Sequence, residues 1–401
     1  MQIVIIGNGV AGFTAANKLR ENNSAVKISI YTDERHVYYP RPRLYDILSG
    51  KSIPQEIYAF SKQWYKKRNI IIHLNQKVLR IEPDKKELLL DDHSYVSYDQ
   101  LLLAKGAHPF VPPIKGAEKS GVFTLRSMKD ALTIHNSAKK TKKIIVIGGG
   151  LLGLESAASL MKLSQQVSVV ELFPRLLPRQ LDQDGANILK DRIESLGIDI
   201  KIDKKTEEIL GKNAVSGILL SNGEKLSGKL VLISAGIRPN TELAVKAGIK
   251  VNKGIIVDPH LKTNFNNVYA CGNVAEFEGR VYETIPAAIE QAEIAAMNML
   301  EKKDYTYRGT TLSHTLKVVG IDLTSIGIVN PTSSQYQEVK KIDEKRGIYK
   351  KIVLKDNKIV GVIMLGDVKG ITTIRKLMAQ KKTVARYQGQ LLEDSFDYSE
   401  L

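Results

Sequence analysis

The chain of 401 residues has a single cysteine, Cys271. One thiol cannot form an internal disulfide, a Cys-x-x-Cys redox pair or a cysteine-rich zinc site. Acids are also short: 43 Asp and Glu face 59 Lys and Arg, a net charge of +16. That surplus calls for a negative partner, either a nucleic acid or an acidic protein. Long apolar runs are missing, and none approaches the ~18 residues of a spanning helix. No basic segment with a small-residue cleavage site precedes the first apolar strand, so a cytoplasmic protein is expected. The seven histidines are scattered, with no pair at metal-ligand spacing. What remains is ordinary globular material, 43% hydrophobic and 25% charged. At about 150 residues per domain, it predicts two or three domains.

The most informative feature is an internal echo. Residues 3–6 form an apolar run that leads into Gly7-Asn8-Gly9-Val10-Ala11-Gly12 and a helix-like stretch from Phe13 to Glu21. Residues 144–147 repeat the plan, leading into Gly148-Gly149-Gly150-Leu151-Leu152-Gly153 and a helix from Leu154 to about Leu163. After the first echo, Val26–Thr32 reads as a strand ending at Asp33-Glu34; after the second, Val167–Val170 ends at Glu171. Both acids lie roughly 20 residues past the last glycine, as a ribose-binding carboxylate should. One G-x-G-x-x-G is weak evidence. Two, each with strand, helix and terminal acid, predict two dinucleotide sites, where glycines admit a pyrophosphate to a helix N-terminus.

Further strands are expected at Ile70–His73, Val78–Ile81, Glu87–Leu90, Gln100–Ala104 and Lys229–Ala235, the last ending at Gly236. Another runs from Asn266 into Cys271-Gly272-Asn273, and a helix spans Pro286 to about Met299. After Arg308 the pattern changes to strand-like runs at Thr315–Val319, Leu323–Val329, Ile348–Leu354 and Lys358–Leu365, with a basic helix near Ile371–Ala379. The fold class is therefore α/β: two Rossmann-like domains, one inserted in the other, plus a small α+β C-terminal domain.

On these residues the chain resembles the two-dinucleotide flavoprotein reductases, the pyridine nucleotide–disulfide oxidoreductase superfamily. The stretches Tyr38-Tyr-Pro-Arg-Pro-Arg-Leu44, Leu176-Leu-Pro-Arg-Gln-Leu-Asp182 and Leu316-Lys-Val-Val-Gly-Ile-Asp322 are similar to NADH:rubredoxin reductases and to the flavin modules of NAD(P)H nitrite reductases. The resemblance implies an FAD domain at 1–112 and 243–308, an NAD(P)H domain at 113–242 and a C-terminal domain at 309–401 covering the flavin. It implies FAD contacts at Gly7, Gly9, Gly12, Glu34, Arg41, Val78, Arg126, Asn273 and Ala287. It implies NADH contacts at Gly148, Gly150, Gly153, Glu171 and Gly236, with Glu155 near the nicotinamide–flavin junction. The helix starting near Pro286 either offers its positive end to the flavin or is a packed core helix.

Three positions depart from the family. Asn273 stands where an aspartate is usual and removes a negative charge near the flavin. Lys105 stands where relatives have Thr or Ser. Tyr45-Asp46 follow the Arg-Pro run where some relatives carry a lysine.

Disulfide-reducing members need a cysteine pair beside the first helix or a single cysteine near residue 42; this chain has Arg41-Pro42-Arg43. No side-chain nucleophile is expected, and the cofactors carry the chemistry. Glu171 favours NADH over NADPH by binding a 2′-hydroxyl, although Arg175 and Arg179 follow closely. The charge is concentrated: 340–386 holds 14 Lys/Arg against 4 Asp/Glu, while 388–401 has four acids and no cation. The expected partner is thus a small acidic electron carrier of the rubredoxin type, not a nucleic acid or a membrane. The alternatives are a flavin subunit of a nitrite reductase-like complex, and an NADH oxidase or quinone reductase.

Overall fold

Gln2–Ile6 and Lys143–Ile147 are β-branched runs buried along nearly their whole length, which suits the centre of a parallel sheet covered on both faces. Each lies at the centre of a five-stranded parallel sheet in the computed structural model, which describes residues 1–164, 166–301, 305–311, 313–387, 390–393 and 396. In the first sheet the order is Val268–Ala270, Gln100–Leu103, Gln2–Ile6, Lys27–Tyr31, Ile70–His73. In the second it is Ile198–Lys201, Gln166–Val170, Lys143–Ile147, Leu230–Ile233, Val122–Phe123. The echo extends to a three-stranded antiparallel sheet in each half, Val78–Glu82 with its neighbours and Thr206–Leu210 with its neighbours.

The chain crosses between the halves twice. The crossing segments Ala107–Pro109 and Ile237–Pro239 pair antiparallel, so each steadies the other. Asn240 locks the pair: its Nδ2 donates to the Lys105 carbonyl at 2.8 Å, and its Oδ1 meets His108 Nδ1 at 2.7 Å. Arg238 lies over the Phe110 ring. Among the described residues no helix is long and apolar enough to cross a membrane.

The C-terminal part is a five-stranded antiparallel sheet in the order Ser313–Val318, Ile321–Gly327, Lys358–Leu365, Ile348–Lys355, Gln337–Asp343. The strand Gln337–Asp343 is absent from the sequence reading. It is a polar, mostly exposed edge strand, so it carries no apolar alternation to detect. Ile321, Leu323, Tyr349, Ile363 and Leu365 on one face share a core with Leu177, Leu181 and Leu189 of the second domain. The opposite face, with Ile352, Val362 and Met364, is covered by the helix Ile371–Gln380.

A buried ionic cluster reinforces that contact. Asp182 caps the helix Gln183–Ser195 by accepting from the Gly185 N–H. Its other oxygen accepts from the Tyr349 hydroxyl at 2.5 Å and from Lys351 Nζ at 3.0 Å. Lys351 also meets Glu338 at 2.8 Å. The basic stretch is therefore not a uniform surface patch. Lys350 and Lys351 are buried, and Lys340 is tied to Asp182 and Asp184. The acids Asp394, Asp397 and Glu400 lie outside the described residues.

Burial alone would raise the Asp182 carboxyl, yet Tyr349, Lys351 and the Gly185 N–H hold it below its ordinary value. A depressed carboxylate stabilises the fold above its unfolded pKa and ceases to do so as pH falls through the folded one. Asp182→Ala should lower stability by about 3 kcal/mol at neutral pH, read from urea unfolding. That loss should shrink in strong acid.

Candidate functional site

Both glycine turns are built from the same close approaches. Gly7 has φ +109°, and a Cβ there would lie 2.4 Å from the Ala104 carbonyl oxygen. A Cβ on Gly12 would lie 1.9 Å from the Gly7 oxygen. In the second turn Gly148 (φ +118°) faces the Ser234 oxygen at 2.2 Å, and Gly153 faces the Gly148 oxygen at 1.9 Å. Glycine is thus required for packing at four positions. Gly9 and Gly150 differ: a Cβ at either meets nothing within 4 Å. Each is the N-cap of its helix, Val10–Asn22 or Leu151–Met161, with no side-chain cap. Each turn therefore presents uncapped N–H groups to open space where the strand order reverses, the usual place for a dinucleotide pyrophosphate.

Around the first turn, the Glu34 carboxylate accepts from the Tyr39 hydroxyl and the Arg41 guanidinium. Arg41 also donates to the Arg126 carbonyl at 2.8 Å, and the Met128 N–H donates to Tyr39 at 3.0 Å. Arg126 has no ion-pair partner among the described residues. Burial, then the nearby Arg41, push its guanidinium down to about 10. Asn8, inside the turn, has a buried Nδ2 without a partner. Two crowded cations, an orphaned donor and an open helix end all call for an anion. The residues present fit an FAD pyrophosphate.

The other expected FAD positions are more varied. Val78 is buried in the first core and opens the strand Val78–Glu82. Asn273 sits half-buried in the turn Gly272–Val274. Ala287 is buried, and its N–H already donates to the Thr284 hydroxyl, which caps the helix Ile285–Met299. Pro286 offers no N–H, so that helix end presents fewer free donors than the glycine turns do.

Around the second turn, Glu171 is 6% exposed and bonded at both oxygens. Its oxygens accept from the Gly149 N–H at 2.6 Å and the Phe173 N–H at 2.8 Å. Arg175 is spent on the Pro178 and Leu181 carbonyls of its own loop. Arg179 is exposed and lies 3.8 Å from Glu283 of the first domain. Gly236 (φ +105°) faces open space at the start of the second crossing. A cleft of about 780 Å³ opens between the domains there, lined by Arg179, Ile237 and Arg238 on one side and Lys253, Arg280 and Glu283 on the other.

Glu155 lies where three parts of the chain meet. Burial pushes its carboxyl up to about 7, opposed by the Val319 N–H and by Lys162. Tyr45, in the helix Leu44–Leu48, faces it, and the phenol is pushed up by burial and then by Glu155. Val319 has φ +55°, unusual for a β-branched residue, in the turn joining Ser313–Val318 to Ile321–Gly327. Cys271 is completely buried and its thiol is pushed up by burial, so it is no nucleophile. Sequence reading missed Tyr39 and Asn8. The Tyr-x-Arg spacing after Glu34 was the available signal for Tyr39.

The two glycine turns share one geometry, and Cys271 is sealed in the core. The chain belongs to the pyridine nucleotide-disulphide oxidoreductase family, whose model matches residues 1–292; the rubredoxin NAD+ reductase C-terminal domain matches 313–382. The family is FAD-dependent. The chain is 39% identical to a nitrite reductase [NAD(P)H] of Bacillus subtilis over 91% of its own length but only 46% of that protein. It spans about half the length of the curated relatives it matches first. It is 31% identical to an NADH-rubredoxin oxidoreductase of Clostridium acetobutylicum over 95% of both chains. Its structure matches a ferredoxin reductase of Rhodopseudomonas palustris with TM-score 0.90 at 26% identity, covering 100% of this chain and 99% of that one.

Two outcomes follow from this geometry. Gly12→Ala should cost about 1–3 kcal/mol of stability, since backbone must shift. Gly9→Ala should leave the melting temperature of the apoprotein near wild type and abolish FAD retention, measured by flavin absorbance of the purified protein. Separately, the folded Glu155 binds more protons than the unfolded chain between its ordinary 4.5 and about 7, so its contribution to stability falls as pH rises through that window. Glu155→Gln should remove that slope and raise the melting temperature at pH 8.

Proposed function

We propose that this chain takes reducing equivalents from NADH through FAD and passes them singly to a small acidic electron-carrier protein of the rubredoxin type. FAD, when bound, supplies a centre that accepts a hydride and releases electrons one at a time. The first cradle would hold it through the N–H groups beyond Gly9, with Arg41 and Arg126 against its phosphates. The second would hold NADH through the N–H groups beyond Gly150. Glu171 would meet the ribose there and repel a 2′-phosphate. Glu155 and Tyr45 would border the nicotinamide and keep water from it.

The observation that carries the reading is the sealed Cys271. With no second cysteine among these 401 residues, no dithiol within them can take the electrons, so the acceptor lies outside them. The end-to-end match to the clostridial enzyme supports a small carrier as that acceptor. The match to nitrite reductase supports a second reading, in which the chain feeds a cysteine-rich partner chain.

Anaerobic titration of the FAD-loaded protein tests this. NADH should bleach the flavin, with kcat/KM above that of NADPH by at least about tenfold. A rubredoxin should then be reduced much faster than free flavin reduces it, and more slowly as salt rises. Carrier reduction no faster than with free flavin would sink the carrier reading, and equal use of both nucleotides would sink the role of Glu171.

A further inference from the structure

The helices Val10–Asn22 and Ile285–Met299 pack closely through small residues, among them Ala11, Ala15, Ala288 and Ala292. Into this interface the second helix places Gln291, 1% exposed. A buried amide is costly unless it makes a bond that matters. Gln291 Oε1 accepts from the Gly272 N–H at 2.8 Å. Its amide nitrogen lies beside the Tyr307 phenol.

Gly272 needs that acceptor. Val268–Ala270 is the edge strand of its sheet, and after it the Cys271 N–H still reaches the Leu103 carbonyl. At Gly272 the backbone turns to φ +76°, away from the sheet, and its N–H has no strand partner. A Cβ there would lie 2.9 Å from Ala11 Cβ, so the residue is wedged against the first glycine-turn helix. The next residue is Asn273, whose own amide has no bonded partner among the described residues.

We propose that Gln291 is a positioning residue for FAD: it fixes the left-handed turn at Gly272 and thereby aims Asn273 at the bound cofactor. It touches no reacting atom and acts through the backbone of the turn. This rests on the reading of the first cradle as the FAD site.

The test compares full-length wild type, Gln291→Leu, Gln291→Asn and Gln291→Glu, stripped of cofactor and titrated with FAD. The readouts are the dissociation constant, the shape of the visible flavin bands and the melting temperature of each apoprotein. Leucine removes the acceptor and asparagine falls one methylene short; both should bind FAD about tenfold more weakly and show altered flavin bands. Glutamate keeps an acceptor for the Gly272 N–H and should stay within about threefold of wild type. If leucine fails to fold, the asparagine and glutamate pair decides. Equal FAD binding by all folded variants, or equal losses in asparagine and glutamate, would overturn the proposal. A wild-type chain that takes up no FAD would instead remove the reading of the cradle on which it rests.

Discussion

The structure depends on two backbone contacts that tolerate no side chain. Gly12 lies against the Gly7 carbonyl, and Gly153 lies against the Gly148 carbonyl. Each contact lets a helix start close against the end of a central strand. The consequence is chemical as well as steric. When the first turn of the helix is pulled down onto the strand end, the N-cap glycine has nothing in front of it. The helix N–H groups there have no side-chain cap. Four glycines thus serve packing so that two others, Gly9 and Gly150, can leave room for a ligand.

Charge follows the same logic. The acids that end the second strands are satisfied by the protein itself. Glu34 is held by Tyr39 and Arg41, and Glu171 by two backbone N–H groups. They hold their loops in shape and offer a ribose only what remains of their accepting capacity. One cation is in the opposite condition: Arg126 stands beside Arg41 with no ion-pair partner among the described residues. Satisfied acids beside one uncompensated guanidinium favour a phosphate-bearing ligand. The site obtains that preference without a catalytic side chain.

What could be read from sequence was whatever is local. The glycine turns, the terminal acids, the parallel strands and the helix now bounded at Ile285–Met299 depend on spacing within about thirty residues, and spacing is visible. The C-terminal contacts depend on separation. Asp182 and Lys351 stand 169 positions apart, so Lys350 and Lys351 read as surface charge although both are buried. The strand Gln337–Asp343 failed for a different reason: an exposed edge strand buries no stripe and leaves no periodicity. Gln291 was hidden inside a helix whose neighbouring inward positions are alanine, where one amide looks like an ordinary polar face.

The docking of the C-terminal sheet also bears on how the site is assembled. The sheet is bonded to the second domain through the Asp182 cluster, through Ser325 to the Gln180 carbonyl, through Arg192 to the Gly347 carbonyl, and through the Val319 turn at Glu155. Its other face is closed by its own helix. The Glu155 corner therefore takes one wall from each part: Tyr45 from the first domain, Glu155 from the second and Val319 from the third. Val319 holds a backbone angle that a β-branched residue adopts only at a cost. That cost falls where a turn delivers an N–H to a buried carboxyl, whose charge is expensive without a donor. The strained turn and the buried acid compensate each other, and so the corner is complete only when all three parts are in place.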